Sequence, residues 1–392
     1  MDRLRRTLLR ATRLAIIGMA GATGVQGTHA IPGNNAALDA SASGMHFATL
    51  YGHAAHPLSG FTWAIADTGG GTSCDGTPDQ LDVFTPSGTL NQAFNTDAFQ
   101  CTGTWGSNTV AIAKSKKQTC VLLADINDGR GPGHLDSFSF NPNTGLIGAE
   151  VSHLADPKNG TPQDVAANAT GTAAVWVDQS ASPTYILETS VGKGCALGKA
   201  KVSKGTTGHY NNAVWNGKYA LAANSGTCTV DTYKGVKLVH STPTDICGVG
   251  ISALGTEIAV GSGSNKVESG SFAYPGVNWG GTASETGPGG ANILDTGLAS
   301  GCLFGGDEDT GYVSWFTTAG NPPAPAYVGD ERNPSGSSFE GPFASAGSIE
   351  FMDSFGGGEI YYSTIGTQCA LTLTPFATLS DTRGSSNGFV LY

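Results

Sequence analysis

TWAIADTGGG…QLDVFTPSG, starting at Thr62, and CVLLADINDG…HLDSFSFNPNTG, starting at Cys120, are two copies of one unit. Each has an apolar strand, Ala-Asp, a Gly-containing turn, Leu-Asp-x-Phe, then Pro and Gly. Weaker copies follow, among them WNGKYALAANSGTCTVDTYKG from Trp215 and TEIAVGSGSNKVESGSFAYPG from Thr256. With Ile65, Leu123, Val177, Ala222, Val260, Phe304 and Tyr361 taken as equivalent, the gaps are 58, 54, 45, 38, 44 and 57 residues. A second element, Thr-Pro-x-Asp-apolar followed by Gly-Thr and a strand, begins at Thr161 and again at Thr242. Each unit therefore holds at least three strands. Units of this length and strand content predict an all-β chain, a seven-bladed β-propeller of four-stranded antiparallel blades. One blade cannot bury both its faces, whereas a ring of blades buries each against its neighbours. A β-sandwich pair or a β-helix is the alternative; the first would not repeat Ala-Asp…Leu-Asp-x-Phe, and the second would repeat at a shorter period. GFVLY at 388–392 suits a strand that completes the first blade and closes the ring.

The N-terminus has a different character. MDRLRRTLLRATR carries five Arg, LAIIGMAGATGV is a short apolar run, and THA ends at Ala30. That sequence predicts a signal peptide over residues 1–30, with Arg5-Arg6-Thr7-Leu8-Leu9 open to a twin-arginine or an ordinary export route. Residues 31–392 then form a single propeller domain, secreted or periplasmic. The eight Cys show no C-x-x-C pair and no zinc spacing. An even count behind an export signal predicts disulfides, and Cys228 with Cys247 is the pair that one hairpin unit brings together. The net charge is −11, and no Lys/Arg-rich stretch follows residue 13. The linear sequence thus predicts no nucleic-acid partner, no footprint for an anionic membrane, and no membrane span.

NGKYALAANSGTCTVDTY resembles the repeat of lactonase-like (YVTN-type) seven-bladed propellers: Gly-Lys-Tyr, an apolar strand, Ala-Asn, a Gly turn, then Thr-Val-x-x-Tyr. SFSFNPNTGLIGAEVSHLADPKNGTPQDVA resembles the junction between blades in the same family. The resemblance covers roughly residues 120–262. It implies the ring and an activity on small lactones or sugar acids. The family's catalytic carboxylate, His and Arg residues have no clear match here, since only Arg130, Arg332 and Arg383 follow the signal region.

In a propeller the first strand of each blade lines the central channel. Asp164, Asn212, Asp245, Asn292 and Glu350 are the candidates for ligand-binding positions there. Two such carboxylates facing one cavity bind a cation, or one acts as a general base; alternatively each Asp after Thr-Pro caps a turn. Asp125, Asn127 and Asp128 in DINDGRG offer hard oxygen ligands for calcium. The fifth position of an EF-type loop is here Gly129, and Asn-Asp-Gly is also an ordinary hairpin turn. His53 and His56 are a further metal pair if their segment is helical. Asp307, Glu308 and Asp309 read as a solvated loop. No nucleophile elbow, phosphate loop or haem motif is present in the sequence.

Three functions fit these features. The first is an exported ring that binds a small molecule or a protein at one face, as a binding or scaffold protein. The alternative is a lactonase-like enzyme hydrolysing or isomerising a small lactone or sugar acid at the channel mouth. A third is a periplasmic oxidoreductase subunit whose partner carries the redox centre.

Overall fold

The computed structural model describes residues 58–68, 80–96, 109–125, 133–160, 162–178, 183–288, 292–307, 310–337, 339, 343–354, 358–380 and 386–392. Among them run seven four-stranded antiparallel sheets. Blade 1 holds β1 (Ala64–Thr68), β2 (Gln80–Phe84) and β3 (Leu90–Asn95). Blade 2 holds β4 (Val110–Lys114), β5 (Thr119–Asp125), β6 (His134–Asn141) and β7 (Leu146–Ala155). Blade 3 holds β8 (Pro162–Ala167), β9 (Ala173–Asp178), β10 (Tyr185–Ser190) and β11 (Lys201–Val202). Blade 4 holds β12 (Tyr210–Asn216), β13 (Tyr219–Asn224), β14 (Thr229–Lys234) and β15 (Lys237–Pro243). Blade 5 holds β16 (Gly248–Leu254), β17 (Glu257–Ser262), β18 (Lys266–Ala273) and β19 (Gly276–Ser284). Blade 6 holds β20 (Ile293–Ala299), β21 (Cys302–Asp307), β22 (Tyr312–Ala319) and β23 (Ala324–Arg332). Blade 7 holds β24 (Phe343–Ala346), β25 (Ile349–Ser354), β26 (Glu359–Thr364) and β27 (Thr374–Thr378). The innermost strand of blade 1 is β28 (Ser386–Leu391), paired with β1 so that Ala66 faces Phe389. That strand closes the ring, as the 388–392 stretch requires.

The core follows from the period of a strand. Successive side chains point to opposite faces, and both faces of every blade are covered. On β9, Ala174 and Trp176 pack with Leu122 and Leu135 of blade 2, while Val175 and Val177 pack with Tyr210 and Ala222 of blade 4. The second strand of each blade is therefore a short continuous apolar run rather than an alternating one. The apolar packing forms seven clusters, one at each seam, including the seam between blades 7 and 1 around Phe351, Phe376 and Phe389.

Six of the seven residues aligned by the repeat lie on second strands. Tyr361 does not: it sits on the third strand of blade 7, and Phe351 and Met352 on β25 hold the second-strand place. The acids in IEFMDS masked that strand, whereas EIYYST looks more apolar.

Three disulfides join described cysteines. Cys228–Cys247 is the pair expected from the hairpin unit. Cys120–Cys195 and Cys302–Cys369 are a matched set. Each ties the start of a second strand, β5 or β21, to a single 3₁₀ turn in the next blade, Lys193–Cys195 or Thr367–Cys369. Cys74 and Cys101 lie outside the described residues.

The strand order gives the ring two distinct ends. Connections from first to second and third to fourth strands gather at what is termed here the turn end. Connections from second to third strands, and the passages between blades, gather at the loop end.

Candidate functional site

The seven innermost strands, β28, β4, β8, β12, β16, β20 and β24, pack against one another in that order around the centre. In four successive blades this strand carries an irregularity near its loop end: at Pro162/Asp164, Tyr210/Ala213, Gly248/Gly250 and Ile293/Asp295. A bulge re-aims the side chain that follows it. The residues set there are Asp164 in blade 3, Asn212 in blade 4, Gly250 in blade 5 and Asp295 in blade 6. A Cβ on Gly250 would lie 2.4 Å from the Leu294 carbonyl oxygen and 2.9 Å from Asp295 Cα. Only glycine lets strands β16 and β20 approach so closely there.

Asp164 and Asp295 are both buried. Asp164 Oδ2 accepts the Ala213 N–H at 2.6 Å, which ties blade 3 to blade 4. Asp295 accepts backbone N–H groups of Thr296 and Phe343, so it bridges blades 6 and 7. Its carboxyl is held well above the ordinary range, first by burial and then by the neighbouring carboxyls of Asp164 and Glu350. Glu350 on β25 is fully buried, and burial pushes its carboxyl up to about 8 against one lowering contact from Ser345. The Ser345 hydroxyl donates to Glu350 Oε2. Oε1 has no hydrogen-bond partner and lies 2.8 Å from where a Cβ on Gly297 would stand. Three carboxyls from blades 3, 6 and 7 thus form one electrostatic group. Among the described residues, the one Lys or Arg on an innermost strand is Lys114, at the turn end of β4.

The sequence candidates fall in different places. Asp164 and Asn212 lie on innermost strands and are buried. Asp245 is exposed, in the passage from β15 to β16, where its N–H donates to Glu268 Oε2 at 2.9 Å. It is not the equivalent of Asp164, because Gly250 holds that place. Thr242-Pro243 ends an outer strand, whereas Pro162 begins an inner one. Asn292 precedes β20, and its N–H donates to Asp307 Oδ2 at 3.3 Å. Glu350 is on a second strand rather than a first. Asp307, read as solvated, is fully buried and also accepts the Thr310 N–H at 2.9 Å. Asp295 escaped the sequence reading, although it precedes the second-strand Asp307 much as Asp164 precedes Asp178. Asn127, Asp128, His53 and His56 lie outside the described residues. Asp125 ends β5, in register with His134.

That pairing leads to a second constellation. His134 and Asp136 on β6 and His153 on β7 bring one donor atom each within 4.8 Å of the others. His134 Nε2 is 3.0 Å from Asp136 Oδ2, and His153 Nδ1 is 3.1 Å from Asp136 Oδ1. His134 and Asp136 are buried, and His153 stands at the surface. Donor separations of about 3.4 Å are what a tetrahedral ion with bonds near 2.1 Å needs. Two imidazoles and one carboxylate suit zinc or a similar transition ion better than calcium, and they leave a fourth position for water. Titration of metal-stripped protein with Zn²⁺ should show one site per chain, and His153→Ala should weaken it at least about a hundredfold. Equal binding by the variant would mean that the three residues are only a hydrogen-bonded set.

The same ring occurs in solved structures. A periplasmic gluconolactonase of Pseudomonas aeruginosa aligns with a TM-score of 0.61 at 15% identity, over 82% of this chain and 98% of its own. A provisionally named 6-phosphogluconolactonase of Bacteroides uniformis aligns with a TM-score of 0.65 at 14% identity, over 85% and 100%. A protein of unknown function from Desulfotomaculum acetoxidans gives 0.61 at 11%, over 84% and 98%. The chain therefore has the fold of the lactonase-like seven-bladed propellers; at these identities the likeness concerns the fold alone. No family model matches the chain, and no curated protein sequence does.

Proposed function

We propose that this ring is an extracytoplasmic enzyme that opens a small, uncharged sugar lactone at the loop end of its channel. The observation that carries the reading is the group formed by Asp164, Asp295 and Glu350, in which Asp295 and Glu350 are held neutral by burial. Ring opening needs a base to activate water and an acid to protonate the departing ring oxygen. Neighbouring carboxyls whose environments separate their proton affinities supply both. With two of its three carboxyls neutral and Lys114 at the opposite tip of its strand, the described site offers no cation to pair with a phosphate or carboxylate group. The substrate is accordingly a neutral lactone rather than a phosphorylated one, and the acid formed from it finds no cation there to hold it. The three disulfides support a location outside the reducing cytoplasm, as does the proposed export signal. The periplasmic gluconolactonase with the same fold fits that location.

The test is a panel of neutral and phosphorylated aldonolactones. Wild type should hydrolyse a neutral member, and Asp295→Asn should lower kcat at least about a hundredfold while keeping its melting temperature. Binding of a lactone without turnover would leave a non-catalytic binding protein, the other function the fold accommodates. No binding of any lactone would overturn the proposal.

A further inference from the structure

We propose that the turn end of the ring is a docking surface for an anionic lipid bilayer. Nine of the twelve lysines lie there: Lys114, Lys116 and Lys117 in blade 2, Lys193, Lys199 and Lys201 in blade 3, and Lys218, Lys234 and Lys237 in blade 4. All nine are exposed. The thirteen turns that join first to second or third to fourth strands contain no Asp or Glu. Glu188, near the end of β10, is an acid beside this array and is held by Lys201 at 3.6 Å. The linear sequence concealed the patch because no two blades contribute neighbouring residues. The fold gathers into one arc what the chain spreads over more than a hundred positions.

Exposed apolar side chains share this end. Of seven large apolar side chains that face solvent among the described residues, Leu90, Leu146, Leu238, Leu254 and Tyr274 stand at or beside its turns. Tyr274, 59% exposed, stacks on Tyr219 at 4.9 Å, and Lys218 Nζ lies over the Tyr219 ring at 5.6 Å. Adjacent turns are tied together. Asn216 Nδ2 donates to the Gly255 carbonyl at 2.7 Å, and the Gly194 N–H donates to Gln118 Oε1 at 2.6 Å. The surface is thus an arc of lysines over blades 2, 3 and 4, with apolar tips within it and on the blades at either side.

That chemistry suits a fluid anionic interface. Leu and Tyr enter the headgroup region while Lys stays with the phosphates. A partner with fixed carboxylates or phosphates would call for the planar fork of Arg. The one described Arg, Arg332, ends β23 at the loop end. The net charge, −11 for the whole sequence and −15 without the five Arg and one Asp of residues 1–30, does not oppose docking. Strands of six to eight residues separate the two ends by roughly 20 Å, more than twice the Debye length of about 8 Å at physiological salt, so the far end is largely screened. A bilayer at the turn end therefore meets the lysines and hardly senses the acids.

The test is co-sedimentation of the intact protein with vesicles of phosphatidylcholine alone and with about one third phosphatidylglycerol. Binding to the anionic vesicles should be at least about tenfold tighter and should vanish in high salt. The variant Lys116→Glu, Lys117→Glu, Lys193→Glu should lose binding by about a hundredfold, since each lysine near such a surface contributes about fivefold. Its fold is checked by an unchanged melting curve. Leu254→Ser with Tyr274→Ser should weaken binding while leaving its salt dependence. Equal binding to both vesicles, or full binding by the charge-reversed variant, would overturn the proposal. So would capture by dextran sulfate with none by anionic vesicles, an outcome that would point to an acidic polymer instead.

Discussion

Raising the pH from 5 to 9 should lower the melting temperature of this protein by roughly 10 °C or more. Most small domains lose stability on acidification, because paired carboxylates must be protonated. Here four buried carboxyls act in the opposite sense. Burial raises Glu350 from 4.5 to about 8, Glu268 and Glu285 to about 7, and Asp156 from 3.8 to about 6. Each binds its proton more tightly in the folded chain than in the unfolded one. The stability this gives is fully present below the unfolded values, near pH 4, and is lost as the pH climbs through the folded values toward 8. Glu350 alone, fully buried, contributes on the order of 5 kcal/mol over that window. Glu350→Gln keeps an acceptor for Ser345 and removes the titration. It should raise the melting temperature at pH 8–9, leave it nearly unchanged at pH 5, and flatten the pH profile. Melting curves of both proteins between pH 5 and 9 decide the matter; a wild-type profile that is flat or rises with pH would refute the assignment.

Removing residues 386–392 should abolish cooperative folding. β28 is a strand of blade 1 contributed from some three hundred residues away, and it lies on two seams at once. Phe389 packs against blade 7, where its ring is 5.7 Å from that of Phe351. Val390 and Tyr392 face blade 2, and Tyr392 exchanges backbone hydrogen bonds with Thr62 and Trp63. Without the strand, both seams open and β1 becomes an exposed edge. Phe389→Ala is the milder version. It should cost about 3–5 kcal/mol, the usual range for a buried phenylalanine. Denaturant titrations would test both, and a sigmoidal transition in the shortened chain at wild-type midpoint would show that the ring does not depend on closure.

The architecture was legible because second strands are buried on both sides. AIAD, VLLAD and ALAAN stand out in a chain with only 13% charged residues. The same logic failed at β25, where Glu350 and Asp353 interrupt the run. Closure by the last strand and the Cys228–Cys247 pair were legible too, since both follow from the unit's own pattern. The candidate site was only half visible. Asp164 and Glu350 stood out in the sequence, Glu350 on the wrong strand, whereas Asp295 did not and Asn292, three residues earlier, took its place. A bulge decides which residue turns inward, and nothing in the local composition marks it. Asp245 was misplaced because Thr-Pro recurs on strands of different rank. One readable signal was missed: Gly-x-x-Cys-Ala-Leu occurs at Gly192–Leu197 and again at Gly366–Leu371, and these are the two matched disulfide turns. The lysine rim had no sequence signal at all, because it depends on which turns share an end.

The Cys302–Cys369 bond also decides which part of the chain bears a load. Tension applied at residue 392 would first strip β28 from β1 and then β27 from β26. Residues 370–392 pay out before the bridge takes the load, a length of about 80 Å at full extension. The load then crosses the sulfur bridge straight into β21, and the segment between the two cysteines, which includes β24, β25 and β26, carries no tension. Reduction of that bond would expose the bypassed segment to the same pull, so a reduced molecule would lengthen further than an oxidised one.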